Sequence, residues 1–376
     1  MEHYLDNAAT TKVCDEAAQA ALAAMTENYG NPSSTHTKGR EANRLLENAR
    51  KQVCSALVCT PGELVFTSCG SESDNWAILG GAEAMKRKGK HVISSAVEHD
   101  AVRRSLDELE NRGFDVTRLP PDEKGGIGVD SVLSALRDDT ILVSLMLVNN
   151  ETGAVTDISS IAKAVKKANP AALVHTDAVQ GFLKVPFSAK TLGADMISIS
   201  GHKIHAPKGI GALYIRNGLK LKPFIVGGSQ ENGRRAGTEA MPQIAAFGAA
   251  CEIARAGMAE NIARMEALRT RAVEQLSRDI PELVLIGGGA PHILSISLPG
   301  WRSEVLMNYL EAQGVYVSRS SACKKGGRSH VLEAMGLSSR VIDGAIRIGL
   351  SRFTTEKDID ALCSALKEAH DTLAHR

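Results

Sequence analysis

The sequence predicts an α/β protein: a large part built on a mainly parallel sheet, followed by a smaller C-terminal α/β part. Three observations carry this reading. Short runs rich in Val, Ile and Leu recur at Glu63–Thr67, His91–Ser95, Thr140–Val148, Ala172–Thr176 and Asp195–Ser200. Runs without polar alternation are what strands covered on both faces require. Helix-period stretches such as Asn75–Arg87 and Asp157–Ala168 lie between them, and strands that alternate with helices build parallel sheets. The rhythm then breaks over Arg216–Met241, a Gly-rich charged stretch (GGSQENGRRAGTEA) that reads as a long surface excursion.

A long helical pattern follows from about Gln243 to Asp279, with Met258–Glu260 as a junction inside it. Strand and helix alternate again afterwards (HILSISL, then SEVLMNYLEAQG). A chain of 376 residues is too long for one small core and too short for three full domains. The expected division is 16–257 for the large domain, and 1–15 with 258–376 for the small one.

Composition narrows the function classes. With 44 basic and 43 acidic residues the formal net charge is +1, which offers no field for nucleic acid or an anionic membrane. Aromatic residues are only 4%, too few for base-stacking surfaces. No stretch reaches the ~20 apolar residues of a membrane span. The start, Met-Glu-His-Tyr-Leu-Asp, lacks the basic and apolar regions of a signal peptide. Seven cysteines at irregular spacings with no CxxC pair fit neither a disulfide framework nor a zinc ribbon. A reduced, cytoplasmic setting is expected.

Open parallel sheets bind ligands at the carboxyl ends of their strands, so the residues just after each run are informative. They are Ser-Cys-Gly-Ser-Glu-Ser after Thr67, His99 shortly after Ser95, Asn149-Asn150-Glu151 after Val148, Asp177 with Gln180 after Thr176, and Gly-His202-Lys203 after Ser200. Taken singly, an Asp after a strand ordinarily caps the next helix, and a lone Lys is ordinarily solvated. Together they place a small-residue loop, a His, an Asn, an Asp and a Lys on one rim. Gly70-Ser71-Glu72-Ser73 opens a helical pattern near Asn75, where free N–H groups favour an anion. The competing reading is an ordinary Ser71 cap with Asp74 completing a capping box. Neither a GKS/GKT P-loop nor a GxGxxG turn is present in the required context.

Lys203 has the character of an amine that bonds an aldehyde cofactor, for which a partly desolvated site beside other cations is needed. Such a cofactor also needs an acid at its ring nitrogen, and Asp177 is the candidate. His202 and His205 form an HxxH, but Pro207 and the glycines after it do not continue a helix that would align them, so no metal is expected. Cys323 lies in VYVSRSSACKKGGRSHVLEAMG, beside Lys324, Lys325 and Arg328, cations that favour the reactive thiolate. Cys14, Cys54, Cys59, Cys251 and Cys363 sit in apolar or helical surroundings, the usual place of an inert thiol.

These residues fall in ordered motifs along nearly the whole chain. They include YLDNAATT at the start, GNPSSTH at 30–36, FTSCGSESDN at 66–75, VEH at 97–99 and VNNETG at 148–153. HTDAVQ at 175–180, SGHKIHAPKGIGALY at 200–214, RRAGTE at 234–239, SSAC at 320–323 and IRIGLSRFTT at 346–355 follow. The chain resembles the cysteine desulfurases of the class V aminotransferase group, fold-type I pyridoxal-phosphate enzymes. The resemblance implies pyridoxal 5'-phosphate bound covalently to Lys203, with Asp177 at the pyridine nitrogen, His99 stacked on the ring and Gln180 at its phenolic oxygen. Gly70, Ser71, Ser200 and His202 would hold the phosphate. Asn150 and Arg347 would receive the substrate, L-cysteine, with the guanidinium forked onto its carboxylate. Cys323 would take the sulfur as a persulfide and leave alanine, for delivery to an acceptor or scaffold protein in iron–sulfur cluster or thio-cofactor assembly. Arg235 and Thr238 resemble the segment that reaches the neighbouring subunit's site, so a homodimer is implied.

Two features depart from the family pattern. Cys69 and Ser71 stand where Gly and Thr are usual, which retains a hydroxyl and adds a thiol near the cofactor. The segment after Cys323 is short. Two other classes remain to be separated: another pyridoxal-phosphate reaction, either transamination or selenocysteine lysis, and an idle homologue that only binds partners. Alanine release without a keto acid excludes a transaminase, and cysteine-dependent sulfide release excludes an idle homologue.

Overall fold

Residues 2–319 and 327–373 are described by the computed structural model. Seven strands form the main sheet, in the order Leu64–Thr67, Gly211–Ile215, Met196–Ser200, Leu173–Asp177, Thr140–Ser144, His91–Ser95 and Asp115–Leu119. The last five run parallel, and Gly211–Ile215 is antiparallel to both of its neighbours. Leu64–Thr67 therefore points the same way as the parallel five, and the carboxyl ends of the runs read from sequence share one rim.

Adjacent residues of each strand enter different cores. Val65, Val92, Leu142, Leu173 and Met196 pack in one cluster. Their successors Phe66, Ile93, Val143, Val174 and Ile197 pack in another. This is the two-residue period of a strand with helices on both faces. The covering helices keep their expected periodicity: Ile158, Ile161, Ala162 and Val165 are the buried stripe of Ile158–Ala168, and Asp157 Oδ1 caps that helix by accepting from Ser160 N at 3.0 Å. The ladder formed by the 140–148 run ends at Ser144. Leu145 N and Leu147 N still donate to His175 O and Asp177 O, at 3.1 and 2.9 Å, which carries the chain along the neighbouring strand to Asn149.

Three local readings are corrected. The helix expected near Asn75 starts at Gly70 and continues, through π-wound Trp76–Gly80, to Met85. Ser71 is therefore not its cap; Cys69 holds that position and makes no side-chain cap bond. The long helical pattern is two helices, Met241–Ala256 and Met258–Asp279, broken at Gly257.

The C-terminal part carries a wholly antiparallel sheet in the order Ser318–Arg319, Ala345–Gly349, Ile293–Ser297 and Val284–Ile286. Leu268 and Leu276 of Met258–Asp279, Leu306 and Leu310 of Ser303–Ala312, and Leu362 and Leu366 of Glu356–Thr372 pack with Ile346 and Ile348. His3–Tyr4 pairs in parallel with Val315–Tyr316, so Leu5 joins this second core while Ala8 joins the first. The chain crosses between the two cores within three residues. No helix among the described residues is long and apolar enough to cross a membrane.

Candidate active site

A cavity of about 310 Å³ lies at the strand-end rim. Gly70, Ser71, His99, Asn150, Asp177, Gln180, Ser200, His202, Lys203 and Arg347 all line it, together with Ala8, Ala9, Cys69, Asp74, Met146 and Val179. Residues more than 270 positions apart in sequence meet there: most end or follow a strand of the main sheet, whereas Arg347 stands inside the Ala345–Gly349 strand.

One end of the cavity is built for an anion. Gly70 begins its helix directly after the Leu64–Thr67 strand, so the unpaired N–H groups of the first turn face the rim. A Cβ at Gly70 would come within 2.7 Å of Val179 Cγ2, so glycine is needed for this approach. Ser200 Oγ is buried and has no protein partner. His202 is pushed down to about 3 by burial, then by the charges of Lys203 and Lys184, and is neutral. Its Nδ1 lies 3.2 Å from Thr10 Oγ1. His205 turns away, with Nδ1 2.8 Å from Lys12 O, so the two rings of HxxH serve different partners.

Lys203 closes a 3₁₀ turn at the end of Met196–Ser200, and its Nζ donates to Ala8 O at 2.8 Å and Ala9 O at 2.6 Å. Asp177 ends its strand 5% exposed, and Oδ1 accepts from Val179 N at 2.9 Å. Burial raises its carboxyl, against which the charges of His99 and Lys203 act. His99 caps Asp100–Asn111 by accepting from Ala101 N at Nδ1, 3.1 Å, which leaves Nε2 as the ring nitrogen that can donate. Gln180 Nε2 donates to Ala8 O at 2.8 Å, and its Oε1 is buried without a partner.

Arg347 is 2% exposed on the Ala345–Gly349 strand. Nη1 donates to Asn150 O at 2.8 Å, while Nη2 donates to Ser318 Oγ at 2.8 Å and Asp6 Oδ1 at 3.1 Å. These bonds hold the plane of the guanidinium, and its Nε is buried without a protein partner.

Several residues were not anticipated from the sequence. Asp74, read only as a capping partner, is fully buried; burial and then the Asp177 charge raise its carboxyl well above the usual range, so it holds its proton. Its register was the usable signal, since Gly70 and Asp74 are four apart on one helix face. His175 backs this pair, neutral because burial pushes it down to about 3, with ring nitrogens 2.8 Å from Ser144 Oγ and 3.0 Å from Ser198 Oγ. Glu98 is pushed up to about 8 by burial and accepts from Ser95 Oγ at 2.5 Å and Met146 N at 3.2 Å.

Other expected residues are not brought into this cavity. Thr238 is exposed, and Arg235 pairs with Glu72 of its own chain at 2.9 Å. Cys323, Lys324 and Lys325 lie outside the described residues. Arg328, taken as a cation beside that thiol, is paired with Asp343 at 2.8 Å. Cys14, Cys54, Cys251 and Cys363 are buried, whereas Cys59 is only half-buried.

Residues 3–362 match the family model described as aminotransferase class-V. Cysteine desulfurase IscS of Methanosarcina thermophila is 42% identical over 370 residues, 97% of this chain and 91% of that protein. Cysteine desulfurase 2 of Trichormus variabilis is 44% identical over 362 residues, 95% of this chain and 90% of that protein. Among solved structures, a NifS-like protein superposes with a TM-score of 0.94 at 38% identity, covering 99% of this chain and 100% of the other.

Proposed function

The chain belongs to the class-V aminotransferase family and to its cysteine desulfurases, and on that premise we propose that it moves the sulfur of L-cysteine onto Cys323 and leaves L-alanine. The observation that carries this reading is the convergence of Lys203, Asp177, His99 and Arg347 on one cavity.

The cavity fits pyridoxal 5'-phosphate. Ser200 Oγ and Gln180 Oε1 are buried polar atoms without protein partners, and the cradle at Gly70 would be filled by a Cβ. Gly70, Ser71, Ser200 and His202 would hold the phosphate, Asp177 the ring nitrogen, His99 the ring face and Gln180 the phenolic oxygen. When bound, the cofactor supplies an electron sink for the pair left at the substrate Cα. Asp177, buried among His99 and Lys203, would keep a proton on the ring nitrogen. Protonated Asp74 leaves the negative charge of the pair to Asp177.

Arg347 and Asn150 orient the substrate, with the guanidinium forked onto its carboxylate. Lys203 Nζ would hold the cofactor and would move the Cα proton of the substrate. The Cys323 thiolate attacks the substrate sulfur. The Cβ–S bond breaks with its electron pair passing to carbon, which is protonated, and the sulfur remains on Cys323 as a persulfide. Burial at the rim excludes water from Asp177 and Arg347, 5% and 2% exposed.

The reading extends to a homodimer in the cytoplasm, with Arg235 and Thr238 serving the partner's site and a protein acceptor of sulfur for iron–sulfur or thio-cofactor assembly. We take 16–257 as the large domain and 1–15 with 258–376 as the small one, supported by the core that joins Leu5 to Met265 and Ile346. The deciding experiment supplies purified protein with cysteine and a reductant and measures both products. Equal sulfide and alanine without a keto acid are expected. Alanine only when a keto acid is present would replace this reading with transamination.

A further inference from the structure

The turn that bears Asn150 continues into Glu151, whose side chain does not face the cavity. Asn149 builds this turn: its Oδ1 accepts from Glu151 N and Thr152 N, both at 2.9 Å, and its Nδ2 donates to Val97 O at 2.9 Å. Glu151 is 6% exposed, and its carboxylate oxygen Oε2 accepts a short hydrogen bond from Ser329 Oγ. Ser329 is itself buried and caps the His330–Ala334 helix by accepting from Leu332 N at 3.1 Å. The next residue joins the same wall, with His330 Nε2 3.0 Å from Glu98 O, beside His99.

Cys323 precedes Ser329 by six positions. Even a fully extended connection of that length spans only roughly 20 Å. The point where Ser329 is fixed therefore limits where the thiol can be delivered. On the other side of Cys323, Ser318 Oγ accepts from Arg347 Nη2 at 2.8 Å. Both flanks of the cysteine segment are tied to the groups that would bind the substrate, one through Arg347 and the other through Glu151.

Resting on the reading of Cys323 as the sulfur acceptor, we propose that Glu151 is a positioning residue: through Ser329 it fixes the root of the Cys323 segment against the substrate-binding turn and so sets sulfur transfer rather than substrate binding. A carboxyl is an expensive group to bury for packing alone, and burial pushes this one up to about 7. Its place at the joint between the Asn150 turn and the thiol's segment gives it a function that packing does not.

The test uses holoenzyme of the parent, Glu151→Ala, Glu151→Gln, Ser329→Ala and the Glu151→Ala/Ser329→Ala double variant. Cysteine binding is followed by the cofactor's absorbance, and sulfur on Cys323 by mass spectrometry in a single turnover. Glu151→Ala and Ser329→Ala are expected to slow transfer about tenfold to a hundredfold, the scale of a small misplacement. Half-saturation by cysteine should move less than about threefold. Glu151→Gln, which keeps the shape and an acceptor, should retain most of the rate. The double variant should be no slower than the worse single one, because both remove one contact. If Glu151→Ala does not fold, Ser329→Ala carries the same comparison. Transfer at the parent rate in these variants, or equal losses in binding and transfer, overturns the proposal while leaving the desulfurase reading in place. A parent that acquires no sulfur on Cys323 overturns both.

Discussion

Replacing Asp177 by asparagine changes one charge and almost no shape. Asp177 is 5% exposed and Oδ1 accepts from Val179 N at 2.9 Å, a bond that an asparagine carbonyl can keep. What disappears is the negative charge that would hold a proton on the cofactor's ring nitrogen. Opposite charges ~4 Å apart at an effective dielectric of about 20 interact by roughly 4 kcal/mol. If that interaction is felt mainly where charge develops at the substrate Cα, its loss slows the step roughly a thousandfold. Asp74 is not expected to substitute, because burial, the largest cause that raises its carboxyl, persists when the Asp177 charge is gone. The assay is the initial rate of alanine formation at saturating cysteine, with cofactor occupancy measured on the same sample and Cα hydrogen exchange followed in deuterated water. Exchange and turnover should fall together. Turnover within about tenfold of the parent at full occupancy would refute the electrostatic role of Asp177.

Three further outcomes are expected. Borohydride reduction followed by peptide mapping should find the cofactor on Lys203, and Lys203→Ala should bind it without a covalent bond and lose nearly all turnover; label on any other lysine removes the assignment. Cys323→Ser should bind cysteine yet release no sulfide, because a hydroxyl is a poor nucleophile toward sulfur; Cys69→Ser should keep its activity, and persulfide found on Cys69 instead would reverse the two roles. Lys184→Met should stabilise the fold. The Lys184 amine is buried without a partner and pushed down to about 7, by burial first and then by the charges of Lys203 and Arg347. The unfolded chain therefore binds more protons than the folded one from about pH 7 up to the ordinary lysine range, and stability rises with pH across that window. The penalty is largest below it, on the order of 5 kcal/mol. Thermal unfolding should show a higher midpoint for the variant at pH 6.5 and a smaller gain at pH 10; an equal gain at both values contradicts the buried-charge account.

Side-chain chemistry at strand ends was legible from the sequence because it is local. Thr67, Ser95 and Ser200 close their strands where the runs end, Asp177 closes its strand one residue beyond the expected Thr176, and the rim follows from the parallel arrangement. The start of the Gly70 helix was misplaced because Ser71 offers a plausible cap two positions after Cys69, which holds that place. Arg347 became a site residue only through the family resemblance, and Gln180, already noted after Thr176, took its role from it. Their placement depends on contacts such as Gln180 to Ala8 O and Arg347 to Asn150 O, which span 172 and 197 positions. No local period encodes such contacts. Burial was equally hidden: Glu98 and Glu151 resemble surface residues of a loop until the helices around them exclude water, after which one stands at about 8 and the other at about 7.

The N-terminal motif shows why residue type alone undervalues some segments. YLDNAATT contributes few reactive side chains, yet it reaches nearly every part of the site. Asp6 Oδ1 accepts from Arg347, Ala8 O accepts from both Gln180 and Lys203, and Ala9 O accepts from Lys203. Thr10 Oγ1 lies 3.2 Å from His202 Nδ1, and Thr11 N donates to His202 O at 3.0 Å. The same few residues cross from one hydrophobic core to the other, where Asn7 Nδ2 donates to Gly349 O at 2.9 Å and Gly349 N to Leu5 O at 2.6 Å. Small side chains let the backbone approach closely, and its carbonyls then orient the lysine, the glutamine and, through Asp6, the arginine. A bulkier residue at Ala8, 1% exposed and packed in the main core, would displace those carbonyls without touching any reacting atom. The segment therefore acts as a common reference for the amine that would hold the cofactor and the guanidinium that would hold the substrate, which must keep a fixed separation although they belong to different sheets.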